Sequence, residues 1–242
     1  MIKRLIAINR RISRKVGTWT NNFFGQIDDC EEIFDKEVKQ YQLKNVEVLE
    51  IGGTQRPYFI KEEVKYYVGL DIDENFNWER YYHRYLNQSC TVEYPGKFDL
   101  IISKYLLEHV DNNSKTFDNI IKALKSAGVA IHIFPLGYHP YTLITRVIGT
   151  KLQRALIKIV RPHTAGVTGY PVYYNLCDST SLKTYFNNKK DVSIKVKYFF
   201  GADDYFAFFL PLYILSILFN RVCELFGLNI FASNAVLVIK KI

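Results

Sequence analysis

The sequence predicts an α/β fold of the doubly wound kind, a parallel sheet with helices on both faces, and two features carry that prediction. The stretch Val46 to Arg56 is an apolar run that ends in Glu50 and then in two glycines. A buried parallel strand ends in this way when the backbone of the next turn must come close to a ligand. About twenty residues on, Tyr66 to Asp73 repeats the order of apolar strand and carboxylate. This spacing predicts two adjacent strands, the second of which places its carboxylate where ribose hydroxyls bind.

The composition of the chain narrows the classes of protein and of partner to consider. With 242 residues the chain is long enough for one large core. A hydrophobic content of 48% excludes wholesale disorder, and the excess of Tyr and Phe indicates that some rings face lipid or ligand. The four scattered cysteines form no Cys-x-x-Cys pair, so we expect free thiols and neither a disulfide framework nor a metal site. The net charge of +8 indicates an anionic partner, whether nucleic acid, phospholipid or a phosphorylated substrate.

The N-terminal residues 1–16 predict a strongly two-faced helix. Six cations lie among aliphatic residues with no acidic residue: Lys3, Arg4, Arg10, Arg11, Arg14 and Lys15. This pattern suits the headgroup layer of an anionic membrane. The alternatives are a helix docked on the domain with its basic face in water, and an organelle presequence. We expect residues 1–43 to be a helical extension and residues 44–242 to be a single domain.

The remaining elements follow from periodicity and turn residues. The short span from Pro57 to Tyr66 leaves room for only about two turns of helix in the first crossover. Residues 75–88 are polar and aromatic and receive no assignment. The other predicted elements are strands Phe98 to Ser103, Val129 to Pro135, Val192 to Phe199 and Ala235 to Lys240, and helices from about Asn113 to Ser126 and from Asp178 to Asn187, the last capped by Ser181 or Thr180.

Two segments are expected to be membrane-facing insertions, at about residues 138–175 and 203–230. Thr142 to Val160 predicts a second basic amphipathic helix. The aromatic run from Tyr205 to Phe219 is too short to span a bilayer and contains Pro211, which predicts an interfacial or re-entrant segment. An ordinary buried helix is the alternative for this run.

Five segments in order resemble the motif series of class I S-adenosylmethionine-dependent methyltransferases of the methyltransferase type 11 kind. They are Glu50-Ile-Gly-Gly, Gly69-Leu-Asp-Ile, Phe98-Asp-Leu-Ile-Ile-Ser, Leu107-Glu-His-Val and Leu124-Lys-Ser-Ala-Gly. The resemblance covers roughly residues 46–135. It implies a Rossmann-like sheet of seven strands whose last two form an antiparallel hairpin, which Val192 to Phe199 and Ala235 to Lys240 would supply.

The resemblance also implies S-adenosylmethionine as the cofactor. The candidate cofactor-binding residues are Glu50, Gly52, Gly53, Thr54, Asp71, Ile72, Asn87 and Ser103. Glu50 would orient the glycine turn or the cofactor's ammonium group, Asp71 would accept both ribose hydroxyls, and Ile72 would lie against the adenine. The usual Gly-x-Gly-x-Gly is replaced here by Gly52-Gly-Thr-Gln-Arg56, so Arg56 must turn away from the cationic sulfonium.

Acceptor chemistry points to the histidines. The methyl group of the cofactor is already activated, so the protein mainly aligns the acceptor and removes a proton if that acceptor is a hydroxyl. His109 lies just after the fourth strand and is the candidate base, although it could instead brace the end of the sheet. His132, inside a strand, is expected to be structural. Tyr138, His139 and Tyr141 are the candidate substrate-binding residues.

The sequence therefore predicts a cytoplasmic methyltransferase, peripheral on the inner face of a membrane, that acts on an oxygen of a lipid-linked saccharide or another amphipathic small molecule. A non-catalytic, membrane-associated scaffold with a degenerate methyltransferase fold is the main alternative. A nucleic-acid methyltransferase would explain the charge, but no base-flipping motif is found. A nicotinamide dehydrogenase is disfavoured because the full Gly-x-Gly-x-x-Gly is absent.

Overall fold

The computed structural model describes residues 2–53, 56–74, 77–160 and 171–242, with the side chains of residues 2, 3, 150, 151 and 153–160 left out. Its helices are α1 (Ile2–Phe24), α2 (Cys30–Val38), α3 (Asn113–Ala123), α4 (Pro140–Val160), α5 (Ser179–Asn187) and α6 (Leu210–Leu225). Its strands are β1 (Glu47–Ile51), β2 (Tyr66–Asp71), β3 (Arg84–Asn87), β4 (Phe98–Lys104), β5 (Leu124–Pro135), β6 (Val192–Phe199) and β7 (Asn234–Lys241).

The strands form one seven-stranded sheet in the order β3-β2-β1-β4-β5-β7-β6. Strands β1 to β5 pair in parallel. Strands β6 and β7 run antiparallel: the Ile242 amide donates to the Asp191 carbonyl at 3.0 Å, and at the other end the Ser233 amide donates to the Phe199 carbonyl at 2.8 Å. The predicted fold class, including the antiparallel C-terminal hairpin, is confirmed.

The core of the sheet consists of aliphatic and aromatic side chains from its central strands and from α3. Leu49, Leu100, Ile101 and Phe134 have no exposed surface. Helix α3 begins where the Asn112 side chain accepts a hydrogen bond from the Lys115 amide at 3.1 Å. The strands β1, β2 and β4, whose carboxyl ends form the site described below, are therefore fixed by this packed core.

Three elements of the sheet differ from the prediction. Strand β3 occupies part of the segment that had no assignment. In the described part of the first crossover, residues 52–53 and 56–65, the helical structure is one 3₁₀ turn, Lys61–Glu63, where room for about two turns of helix was expected. Helix α3 ends earlier and β5 begins at Leu124, earlier than Val129, because a β-bulge lets both Leu124 and Val129 pair with the start of β4. Ala127 accommodates this bulge with φ 62°.

The helices also require corrections. The cap of α5 is Asp178, which accepts from the Thr180 and Ser181 amides at 3.0 and 2.9 Å, and not Ser181 or Thr180. Pro211 lies in the first turn of α6, where a missing amide costs nothing, so it starts the helix and does not interrupt the run. Within α4, Gly149 has non-helical torsions (φ 74°, ψ 161°). Most side chains of the basic face predicted for α4 lie outside the described residues.

The chain folds into two compact units. The sheet unit comprises residues 30–135, 173–197 and 235–242, and the helical unit comprises residues 1–29, 136–172 and 198–234. The boundary predicted at residue 43 stays a prediction. Among the residues that the structure describes, no helix has the length and apolar character needed to cross a bilayer.

Candidate cofactor site

The first two strands of the sheet unit end side by side. Ile51 pairs with Leu70 in parallel register, and the Gly52 amide donates to the Leu70 carbonyl at 2.8 Å, which places the glycine turn next to Asp71. Gly52 has φ +81°, and a Cβ there would lie 2.9 Å from a methyl carbon of Leu106. Only glycine meets both demands without strain: it adopts the positive φ of the turn and leaves room for the Leu106 side chain.

Glu50, at the end of β1, is buried and held by tyrosines. The Tyr82 hydroxyl donates to the Glu50 carboxylate at 2.8 Å, the Tyr67 hydroxyl contacts the same oxygen, and the Tyr58 amide lies 3.2 Å from both oxygens. A Cβ on Gly53 would lie 2.1 Å from the Glu50 carboxyl carbon. Glycine at position 53 therefore makes room for the carboxyl group beneath the turn.

This cluster shifts the acidity of its members. Burial raises the pKa of Glu50, while the hydrogen bonds from Tyr67 and Tyr82 act in the opposite direction. Burial and the neighbouring carboxylate raise the pKa of both tyrosine hydroxyls. Of the two roles predicted for Glu50, these bonds inside the protein favour the orientation of the glycine turn.

Asp71 and its neighbours form the exposed edge of the site. Asp71 is half-buried, and its Oδ1 accepts from the Ile72 amide at 2.7 Å. Ile72 is 74% exposed. Its apolar side chain is therefore accessible for the predicted contact with the adenine ring. Asn87 pairs with Asp71 across β2 and β3, and its side-chain amide donates to the Asp71 carbonyl at 3.4 Å. These residues are brought together as predicted.

The glycine turn is otherwise only partly described. Thr54 lies outside the described residues, so its predicted contact stays a prediction. Arg56 is exposed, and its amide donates to the Gly53 carbonyl at 3.0 Å. Exposure to water satisfies the requirement that this cation turn away from a sulfonium.

Ser103 does not belong to this edge. Its side chain is 1% exposed and its hydroxyl is bonded to His132 Nδ1 at 2.7 Å, inside the sheet. The Ser103 hydroxyl is thus engaged by His132, and its predicted contact with the cofactor stays a prediction. Burial lowers the pKa of His132 to about 3, so this histidine is neutral and structural.

His109 lies in a 3₁₀ turn, Leu107–His109, directly after β4, and its side chain is 31% exposed. Its Nε2 lies 3.8 Å from Oε1 of Glu108, too far for a hydrogen bond. Glu108 is 5% exposed, and its Oε2 has no hydrogen-bond partner among the described residues. Burial raises the pKa of Glu108 to about 8. The sequence motif included Glu108, yet its burial could not be read from the motif.

The predicted substrate-binding residues lie in the helical unit. His139 is 1% exposed, accepts from the Tyr141 amide at Nδ1 and is bonded through Nε2 to Asn220 at 3.0 Å. Tyr141 stacks on Tyr205 with ring centroids 3.7 Å apart, whereas Tyr138 is exposed. His139 is therefore an interior polar residue bonded to Asn220, and its predicted contact with an acceptor stays a prediction.

The residues at the ends of β1 and β2 fit an adenosine-containing ligand with an amino acid end. Gly52 forms the turn beside the end of β2, Asp71 offers a carboxylate, and Ile72 offers an exposed apolar side chain. Among the described residues no group of His, Cys, Asp or Glu side chains is arranged to hold a metal ion. The site can therefore bind and orient such a ligand through backbone and carboxylate groups.

Comparisons with known proteins point the same way. Residues 12–164, more than half of the chain, match the model of a family described as "Methyltransferase domain". Among solved structures, a S-adenosylmethionine-dependent methyltransferase from Mesorhizobium loti superposes with a TM-score of 0.52 at 13% identity, over 85% of this chain and 95% of that one. A methyltransferase from Archaeoglobus fulgidus gives a TM-score of 0.52 at 13% identity, over 93% and 99%.

A third neighbour carries a bound ligand. Phosphoethanolamine N-methyltransferase 2 from Haemonchus contortus, in complex with S-adenosylmethionine, has a TM-score of 0.52 at 14% identity, over 90% of this chain and 54% of that one. At such identities these neighbours show the fold alone. A comparison with curated proteins finds no match to this sequence.

Proposed function

The chain belongs to the methyltransferase domain family, and from this premise we propose that it transfers the methyl group of S-adenosylmethionine to an oxygen of a lipid-linked saccharide or another amphipathic small molecule at a membrane surface. The observation that carries the proposal is the hydrogen bond between Gly52 and Leu70, which aligns the glycine turn with Asp71. The Haemonchus contortus neighbour, which shares this fold, holds the same methyl donor.

Three residues of the sheet unit would each bind a different part of the cofactor. Asp71 would accept hydrogen bonds from the ribose hydroxyls, Ile72 would lie against the adenine, and the backbone of Gly52 would contact the amino acid end. Glu50 and its tyrosines hold the glycine turn from beneath. Bound S-adenosylmethionine would supply a methyl group that is already activated by its sulfonium charge.

His109 is the proposed proton acceptor for a hydroxyl substrate. It directly follows β4, its imidazole is partly exposed, and an imidazole accepts protons near neutral pH. The carbon–oxygen bond would form as the bond between the methyl carbon and the sulfonium sulfur breaks, and the hydroxyl proton would pass to the imidazole. The products would be a neutral ether, a neutral thioether and a protonated imidazole. Glu108 precedes His109 in the chain, and its Oε1 lies 3.8 Å from His109 Nε2.

The test is transfer of a labelled methyl group. Lipid and glycan extracts are incubated with the protein and with S-adenosylmethionine that carries a deuterated methyl, and the products are analysed by mass spectrometry. The proposal predicts a labelled product whose hydrolysis behaviour is that of an ether. That product should be absent with Asp71→Asn and present with Glu74→Gln, which removes a nearby exposed charge. A labelled amine or thioether would refute the oxygen acceptor.

A non-catalytic scaffold is the second candidate, favoured by the side chain of Leu106 over Gly52 and by the altered glycine turn. It predicts that the protein binds S-adenosylmethionine without producing any labelled compound. Binding with turnover on any acceptor excludes it.

A further inference from the structure

Helix α1 buries small and polar side chains and leaves large apolar ones exposed. Ser13 is fully buried and its hydroxyl donates to the Ala207 carbonyl at 3.1 Å. Gly17 lies so close to Tyr213 that a Cβ would be 2.3 Å from its hydroxyl oxygen. Five exposed apolar residues share one face, from 42% for Ile12 to 70% for Phe23: Leu5, Ile8, Ile12, Trp19 and Phe23. Phe24, 53% exposed, lies off this face. This is the reverse of the pattern by which a helix docks on a water-soluble core.

The five exposed apolar residues of α1 form one continuous surface, which we call the α1 stripe. At 100° per residue their positions fall within about 60° of one another around the helix. The adjoining sector carries exposed cations, Arg4, Arg11, Arg14 and Lys15. The helix contains no acidic residue. An apolar stripe bordered on one side by cations is the pattern of a helix that lies in a bilayer interface.

Helix α6, in the same unit, also buries polar side chains and exposes large apolar ones. Asn220 is fully buried and donates to the Gly201 carbonyl at 2.8 Å and to Asp203 at 2.7 Å, while its oxygen is bonded to His139 at 3.0 Å. Ser216 is also buried and donates to Asp203 at 2.8 Å. The exposed residues of α6 include Ile214, Leu215, Leu218, Val222 and Leu225. Beside a small apolar core of Phe206, Ala207, Tyr213 and Ile217, helices α1 and α6 thus each bury polar side chains and expose several large apolar ones.

We propose that the α1 stripe inserts into the headgroup–acyl boundary of a bilayer rich in anionic phospholipid, with the exposed cations of α1 at the level of the phosphates. Insertion removes the stripe from water, and the cations then meet charges of opposite sign. Antiparallel pairing of the stripe with that of a second copy is disfavoured, because it would place the two cationic sectors on the same side of the contact. The proposal rests on the membrane part of the proposed function and is independent of methyl transfer.

Trp19 lies in the stripe and reports on it directly. The chain contains two tryptophans, Trp19 and Trp78, so the variant Trp78→Phe leaves Trp19 as the sole reporter. With vesicles of phosphatidylglycerol and phosphatidylcholine we expect a blue shift of its emission and quenching by brominated acyl chains. Vesicles of phosphatidylcholine alone should give a smaller change. In the reciprocal variant, Trp19→Phe, the emission of Trp78 should change little.

Substitutions separate the apolar and cationic contributions. The double variant Ile8→Gln/Ile12→Gln should weaken binding to anionic vesicles by about tenfold or more while leaving the fold intact, since both side chains are exposed. Arg11→Gln/Arg14→Gln should cause a loss of roughly tenfold or more that disappears at high salt. Ile60→Gln changes an equally exposed apolar residue of the sheet unit and should have no effect.

Three outcomes would overturn the proposal. The first is Trp19 emission that vesicles leave unchanged, even if the protein sediments with them. The second is undiminished binding by the Ile8→Gln/Ile12→Gln variant. The third is a lipid-free dimer, seen by light scattering, that this variant dissociates, because a second copy then covers the stripe. None of these measurements uses S-adenosylmethionine, so failure here is distinguishable from failure of the proposed methyl transfer.

Discussion

Gly53 is required by its neighbour Glu50. A Cβ at this position would overlap the Glu50 carboxyl carbon, 2.1 Å away. We expect Gly53→Ala to displace Glu50 from Tyr67 and Tyr82, to lower the free energy of unfolding by about 1–3 kcal/mol and to weaken cofactor binding. Urea unfolding and calorimetry measure the two effects.

The control is Gly201→Ala, because the nearest atom to a Cβ there is 3.9 Å away. This control should change the free energy of unfolding by less than about 0.5 kcal/mol. If Gly53→Ala is as stable as the control, the carboxyl group does not occupy the space beneath the turn.

Glu108 predicts a pH dependence of stability. Burial raises its pKa from 4.5 to about 8, so the folded chain holds a proton that the unfolded chain has lost across that interval. Its contribution is complete below the unfolded pKa and is lost as the pH rises through the folded pKa. Relative to wild type, Glu108→Gln should therefore gain stability from about pH 5 to about pH 8, by at most about 4 kcal/mol.

Unfolding free energies of the two proteins at both pH values check this expectation. Glu93→Gln, at an exposed position, should show no such trend. A difference between wild type and Glu108→Gln that does not vary with pH would mean that this carboxyl group is hydrated or paired in the folded protein.

At the residue scale, the sequence predicted the backbone of the site better than the partners of its side chains. Glu50, Gly52 and Asp71 follow from strand ends and glycine geometry, which are local in sequence. The hydroxyls that hold Glu50 come from residues 17 and 32 positions away, and no local pattern encodes that meeting. Ser103 was assigned to the cofactor for the same reason: the pattern shows where its strand ends but not that its hydroxyl meets His132.

At the scale of elements, the start of α5 offers a direct comparison between prediction and structure. Asp178 accepts from two amides of the first turn, whereas the sequence favoured Ser181 or Thr180 as the cap. We expect Asp178→Ala to cost about 1–2 kcal/mol of unfolding free energy and Thr180→Ala, at an exposed position, less than about 0.5 kcal/mol. Chemical denaturation of the two variants measures these losses. Equal losses of unfolding free energy would contradict the observed cap.

Elements with strong periodicity were predicted, and the weak or irregular ones were not. Strand β3 is short, lies at the edge of the sheet and has mixed polar and aromatic residues, so it carries no alternation that distinguishes it from a loop. The early start of β5 depends on a bulge, which is a feature of strand pairing. For α1 the two-faced character was evident, but which face is buried depends on the close approach of Gly17 to Tyr213.

At the scale of the whole molecule, the motif series and the added segments fall into different compact units. The five motifs lie in the sheet unit, and both α1 and α6 lie in the helical unit. The family match extends across residues of both units. The motif series therefore accounts for the sheet unit, while the exposed apolar residues of α1 and α6 require the separate explanation proposed above.

The central claim is that the ends of β1 and β2 together hold one nucleoside. Titration calorimetry with S-adenosylhomocysteine on wild type, Asp71→Asn and Glu74→Gln tests it most directly. Loss of a charge-assisted bond to the ribose should weaken binding by Asp71→Asn about tenfold or more, while Glu74→Gln binds like wild type. Wild type that binds no S-adenosylhomocysteine, or Asp71→Asn that binds it as tightly as wild type, would contradict the account.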